Sequence, residues 1–375
     1  MQMSLAACRD KLRGIMQYER IHGPWQIHLM SERLGEQRVR KWDGAGIIAD
    51  SVPHLSTNEE LAASGLPVVI LDYLQTTPPW KHYGLVGCDN HAVGRMGAEY
   101  LWLKELPSFA FVDEVHQKNW SLARRNGFEE FLKEKGRDCF IYPSLTEKEK
   151  SDRKAELPKL KKWLRQLPKP VGIMAAMDAR ARQVLEVCYL VGIHVPNEVA
   201  ILGVDNDELI CQTSYPALSS IQVDNAGGGF LAAQRLSELL QGKFTVAPTL
   251  YYQPLRVVER RSTEYLKTDD PLLREALESI RLYATAGINV NTLVKQLHVS
   301  RRSLEQKFQK HLQHTVLDEI HSVRLQYVCN LLLNTDFTIS EIARLAGFQN
   351  EYYLSTLFRK KFGKTMSQYR QKRGL

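Results

Sequence analysis

The chain lacks paired cysteines. Its six, Cys8, Cys88, Cys139, Cys188, Cys211 and Cys329, are scattered over 375 residues. That spacing excludes a disulfide framework and a clustered zinc site, and fits reduced thiols. No apolar run approaches the roughly 20 residues that a membrane span needs. The opening "MQMSLAACRDKLRGIM" is too charged, and too short in apolar length, for a secretory leader. A cytoplasmic protein without a membrane partner is expected. No metal site or cofactor is expected either. The length suits two or three domains.

The first two-thirds also lacks net charge. Residues 1–270 hold 34 Lys and Arg against 34 Asp and Glu, whereas residues 271–375 hold 16 against 8. The whole formal charge of +8 therefore lies in the tail. A local cationic excess suits a polyanion, most often nucleic acid.

What the body does contain is alternation. Apolar runs at 45–50, 67–72, 83–89, 109–113, 139–142, 171–178, 199–207 and 218–223 alternate with amphipathic stretches at 91–106, 121–136 and 179–192. This predicts an α/β body of parallel sheets covered by helices. The chain length suits two such sheets, with strand ends around a shared cleft. Asp50, Asp72, Asp89, Asp113, Asp178 and Asp205 end or follow these runs. Ligands bind beyond the carboxyl ends of parallel strands, although each Asp could equally cap the next helix. Asp178 in "MDARAR" and Asp205 in "VDNDE" stand among further polar residues. Each sugar hydroxyl both donates and accepts, so a polyol suits carboxylates beside an arginine. "WSLARRNGF" supplies Arg124 and Arg125, and Trp80 and Trp120 could stack on a sugar or pack as lid residues.

Asp89, "ARRNGF", "MDARAR" and "GVDNDE", in that order, resemble the type I periplasmic-binding-protein fold of LacI-type sugar regulators. The resemblance implies ligand contacts from Asp89, Arg124, Asp178 and Asp205. Two features depart from that family. Val223 stands where a glutamine is common, and the chain starts almost at the helix "CRDKLRGI", so the opening strand is expected to be short or missing.

"RSTEYLKTDDPLLREALESI" then reads as a linker leading into a helix. Beyond it lies an internal repeat. Val290, Leu293, Val294 and Leu297 precede Leu304, Phe308 and Leu312; Ile339, Ile342, Ala343 and Ala346 precede Leu354 and Phe358. Each copy predicts a helix-turn-helix, whose second helix can enter a major groove. The second turn is one residue longer and carries Gly347. With Leu304 facing the core, 100° per residue turns Arg302, Glu305, Gln306 and Gln309 outward. The matching second-copy face is Tyr352, Ser355, Thr356 and Arg359. Arg301 lies beside the first face, and Lys360 and Lys364 could hold phosphates. Glu305 could accept from a cytosine amine or simply face water. Residues 316–333 read as one helix of about 27 Å, and successive major-groove faces recur about 34 Å apart. "ISEIARLAGFQNEYYLSTLFRKKFGKT" followed by "QYR" resembles the AraC family of transcription regulators, with Met366 where that family commonly has proline.

A LacI-like sensor (1–265) joined to an AraC-type double helix-turn-helix domain (266–375) resembles the xylose-operon regulators, a likeness that continues through "DARAR", "ELPSFAFV", "ALSS" and "RVVERRSTEY". It implies a homodimer on double-stranded operator DNA, answering to D-xylose or a related sugar. The alternatives are a regulator with a non-sugar effector and an exported sugar-binding protein. A glycoside-processing enzyme using Asp178 and Asp205 as acid and base is a third.

Overall fold

The valine- and isoleucine-rich runs form the strands. The computed structural model describes residues 6–29, 42–50, 61, 63–72, 81–265, 268 and 270–371. The chain divides into two compact units, Met1–Leu266 and Lys267–Leu375.

In the first unit the strands are β1 (Ile47–Asp50), β2 (Val68–Leu71), β3 (Tyr83–Cys88), β4 (Ser108–Val112), β5 (Cys139–Ile141), β6 (Val171–Ala175), β7 (Val199–Val204), β8 (Ser219–Val223), β9 (Leu250–Tyr252) and β10 (Pro254–Val258). They build two sheets, ordered β1-β2-β3-β9 and β10-β8-β7-β6-β4-β5. Every pairing is parallel except β10 with β8. β2, β6 and β7 are buried along their whole length, as strands covered on both faces must be. The helices are α1 (Ala6–His22), α2 (Asn90–Leu103), α3 (Asn119–Glu134), α4 (Glu147–Ser151), α5 (Arg153–Gln166), α6 (Asp178–Val191), α7 (Glu208–Thr213) and α8 (Asn225–Leu240).

The strands differ from the sequence pattern in two ways. β6 and β7 stop short of Asp178, which opens α6, and of Asp205, which follows β7 in a bend. β9 and β10 are additional strands; the chain changes sheets across Gln253 alone, so no helical stretch marks them off. The expected site of a rudimentary opening strand, residues 1–5, lies outside the described residues, as does Trp80.

Each sheet carries a pair of helices that cross through glycine. A Cβ added at Gly94 of α2 would lie 1.8 Å from the Arg124 carbonyl oxygen of α3, and one at Gly127 would lie 2.1 Å from that of His91. A Cβ at Gly229 of α8 would lie 1.8 Å from the Lys11 carbonyl oxygen of α1, and one at Gly14 would lie 1.8 Å from that of Ala226. Only hydrogen at these positions lets backbone meet backbone. The two crossings are copies of one another. Asp89 caps α2 by accepting from Ala92 N–H, and Asp224 caps α8 by accepting from Gly227 N–H. "DNHAVG" and "DNAGGG" are the matching segments.

The second unit is helical: α9 (Pro271–Tyr283), α10 (Val290–Gln296), α11 (Arg301–Leu312), α12 (Val316–Asn334), α13 (Ile339–Leu345), α14 (Glu351–Phe362) and α15 (Met366–Arg370). Polar caps start them. Ser300 accepts from Ser303 N–H and Asn350 from Tyr353 N–H, while Thr315 and Thr365 form capping boxes with Asp318 and Gln368. The repeat thus extends past each helix-turn-helix into a third helix, with Val316 matched by Met366. Met366 is buried at the first position of α15. Proline suits that position because the N–H there lacks an intrahelical partner; methionine instead fills the core beside Leu354 and Phe358.

Candidate functional site

In the first unit Arg124 is the most heavily engaged of the expected site residues. It is buried, and Trp120 lies against its guanidinium at 4.8 Å. Nε donates to Asn90 Oδ1 at 2.9 Å, Nη1 to the Ala176 carbonyl at 2.5 Å, and Nη2 reaches Asp205 Oδ1 at 3.5 Å. Three strand ends, from both sheets, therefore converge on one side chain. Asp205 follows β7 in left-handed backbone, φ 98°, and Asn206 follows at 50°. Such conformations are costly for non-glycine residues and cluster where a ligand or switch requires them. Arg125 instead pairs with Asp113 at 2.6 Å and faces away from that convergence.

Asp178 is tied to the Asp205 loop. It is buried, and both its oxygens are occupied: Ser220 Oγ donates to Oδ1 at 2.5 Å and Asp207 N–H to Oδ2 at 2.7 Å. Burial first, then the charge of Asp205, pushes its carboxyl up to about 8. It pins the loop that presents Asp205. At 2% exposure it presents no accessible carboxyl to a glycosidic oxygen, which speaks against an acid–base pairing with Asp205. Asp89 is half-exposed, with one oxygen serving the α2 cap. Val223 is buried at the end of β8.

A second cluster, which motif reading does not find, lies at the carboxyl ends of the other sheet. Lys11 Nζ contacts Asp50 at 2.7 Å and Asp72 at 2.6 Å. Tyr252 Oη and Cys88 N–H also donate to Asp72, at 2.8 and 2.9 Å. Burial alone would neutralise Lys11, but Asp72 and Asp50 outweigh it and hold the ammonium pKa above its ordinary value. Burial likewise works against the Asp72 carboxylate, and Lys11 with the other donors holds it below its ordinary value. The signal available in the sequence was "DKLRG" against "ARRNG", a basic residue three before the crossing glycine in each.

In the second unit the two reading helices, α11 and α14, each have 12 residues and end on a left-handed residue, Gln313 and Gly363. Leu304, Phe308, Leu354 and Phe358 are buried, while Arg301, Arg302, Gln306, Gln309, Tyr352, Thr356 and Arg359 are exposed. Tyr352 is 83% exposed, as the outward face requires. Ser355 is half-buried. Glu305 departs from the outward face: its carboxylate accepts from Val316 N–H at 3.2 Å and caps the central helix α12.

The relation between the two reading helices rests on residues outside both. From α12, Arg324 donates to the carbonyls of Ala284 and Ile288 and lies 5.5 Å from the Phe348 ring. Gly347, φ 77°, brings the second turn onto the end of α9, where a Cβ would meet the Thr285 and Ala284 carbonyls at 2.8 and 2.9 Å. His321 stacks on Phe348 and touches Tyr353. The central helix is thus locked to both motifs.

Among the described residues no cluster has a metal-binding donor set, and no helix is long and apolar enough to cross a membrane. A periplasmic binding protein-like domain matches residues 98–263, and a helix-turn-helix domain matches residues 293–372. The xylose operon regulatory protein of Escherichia coli K12 is 30% identical over 96% of this chain and 93% of its own. That of Haemophilus influenzae is 32% identical over 96% and 94%. A solved structure of the xylose-binding transcription activator xylR superposes with a TM-score of 0.80 at 29% identity, covering 98% of this chain and 95% of that one. Sensor fold, paired helix-turn-helix motifs and near-full-length likeness agree, and the chain belongs to the xylose operon regulator family of DNA-binding transcription regulators.

Proposed function

We propose that the effector is D-xylose or a closely related monosaccharide, and that it binds beside Arg124, Asp205 and Asp89. The observation that carries this reading is the convergence of Arg124, Asn90 and Asp205 beyond the strand ends, with Asp205 held in left-handed backbone. An arginine beside carboxylates satisfies hydroxyls as both donors and acceptors. Asp178 supports the site from behind by fixing the Asp205 loop. The regulator acts in the cytoplasm as a homodimer, each copy placing two reading helices on one operator half-site. Arg301, Arg302, Gln306, Tyr352, Ser355, Thr356 and Arg359 face the DNA. Sugar shifts the operator-binding equilibrium only as far as its affinity differs between the two states.

The test combines a thermal-shift panel of pentoses and hexoses with operator binding followed by fluorescence anisotropy. Sugar at 100 times its Kd adds about 2.7 kcal/mol of stability, a rise of roughly 5–10 °C for a unit of this size. Binding by no sugar, with operator binding intact, refutes the effector assignment.

A further inference from the structure

The first unit is built from two copies of one arrangement, and the copies extend to charged residues. Gly94 faces the carbonyl of Arg124, and Gly229 faces the carbonyl of Lys11. Each basic side chain then pairs with an aspartate beyond a strand end: Arg124 with Asp205, and Lys11 with Asp72. Both aspartates have left-handed backbone, φ 98° and 52°. Both donate their N–H to the neighbouring strand at 2.9 Å, Asp205 to Ile221 and Asp72 to Val86. Exposure matches too. Side-chain exposure is 8% for Arg124 and 27% for Asp205, against 5% for Lys11 and 20% for Asp72. In each pair the cation is hidden and the carboxylate reaches outward.

We infer that Asp72, positioned by Lys11, is a second carboxylate contact for the effector, supplied by the other sheet. The inference rests on the sugar reading above and deepens it.

Two further observations support it. A chain of hydrogen bonds joins the pairs. Cys88 N–H donates to Asp72, Asn90 Nδ2 donates to the Cys88 carbonyl at 3.2 Å, and Arg124 Nε donates to Asn90. The pairs therefore flank one short segment rather than lying at separate surfaces. Charge also leaves something over. Asp50 alone neutralises Lys11, so Asp72 adds one uncompensated negative charge. A carboxylate has about four lone-pair positions. Lys11, Tyr252 and Cys88 N–H occupy three on Asp72, and a ligand hydroxyl would complete the fourth. A purely structural cross-link between α1 and β1 would need Asp50 but neither Asp72 nor its strained backbone.

The experiment is calorimetric titration of the full chain with the tightest-binding sugar of the panel and with its monodeoxy analogues, one per hydroxyl. Asp72→Asn should weaken that sugar about 10- to 100-fold, as loss of a charged hydrogen bond does. One deoxy analogue should bind poorly to the wild type, yet bind Asp72→Asn as well as the parent sugar does. Asp205→Asn should single out a different hydroxyl. Asp72→Ser keeps the buried Lys11–Asp50 ion pair intact, so no charge is left unpaired, and should repeat the hydroxyl signature if Asp72→Asn folds poorly. Unchanged affinity in these variants, or equal loss for every analogue, overturns this inference alone. Binding by no sugar overturns both it and the effector assignment.

Discussion

Replacing Gly94 with alanine tests whether helix packing sets the geometry of the site. The new Cβ would start 1.8 Å from the Arg124 carbonyl oxygen, 2.7 Å from its carbon and 2.9 Å from Phe128 N, where ordinary contact begins near 3.4 Å. α2 and α3 must separate by about 1.5 Å or tilt; overpacking of this kind costs about 1–3 kcal/mol. Alanine's helix propensity returns about 1 kcal/mol. The atoms met are backbone on a second helix, which cannot swing aside as a side chain can, so the upper end of that cost applies and the clash should win by about 2 kcal/mol. Differential scanning fluorimetry should show the melting temperature falling by about 3–8 °C. The same displacement moves Arg124 off Asn90 and Asp205, so calorimetry should show sugar affinity falling about tenfold. A melting temperature at or above that of the wild type would mean that propensity outweighs the crossing. Wild-type affinity with a lowered melting temperature would separate the crossing from the site.

Other outcomes follow from the same contacts. Lys11→Met leaves Asp50 and Asp72 facing each other in a largely buried site, and should cost about 3–5 kcal/mol; chemical denaturation would measure it, and a loss under 1 kcal/mol would refute the burial argument. The Asp178 carboxyl is raised to about 8 when folded, against an ordinary value of 3.8. The folded chain therefore holds a proton that the unfolded chain has released, and this group's contribution to stability falls as pH rises from about 4 to 8. Asp178→Asn should flatten that part of the melting temperature's pH profile, and an unchanged slope counts against the raised value. Glu305→Ala should lower the stability of the second unit by about 1 kcal/mol through loss of the bond from Val316 N–H, with operator sequence preference unchanged; altered preference would return Glu305 to the groove. Gln306→Ala and Thr356→Ala should weaken specific operator binding in anisotropy titrations while non-specific binding persists, and wild-type affinity in both would refute the reading face.

Local pattern carried much of this protein. Buried parallel strands show as unbroken apolar runs because both their faces are covered. The helix-turn-helix copies show because amphipathic helices repeat with a fixed period, and Leu304, Phe308, Leu354 and Phe358 are placed by that period alone. The charge division between body and tail needs only counting. Family motifs around Arg124 and Asp205 point at the region of the site.

What tertiary structure decided is the state of each charged residue. Asp178 and Asp205 share a motif neighbourhood, yet one is buried with both oxygens bonded and the other projects from strained backbone. Glu305 lies on the outward face of its own helix and is claimed by the next one. Lys11 meets Asp72 across 61 positions, and Arg124 meets Asp205 across 81. Periodicity reports which face of an element is apolar, because burial of that face is local and repeated. Which carboxylate a buried cation finds depends on how closely two helices approach. Here that distance is set by glycines at Gly94 and Gly229, whose partners lie on other elements of the chain.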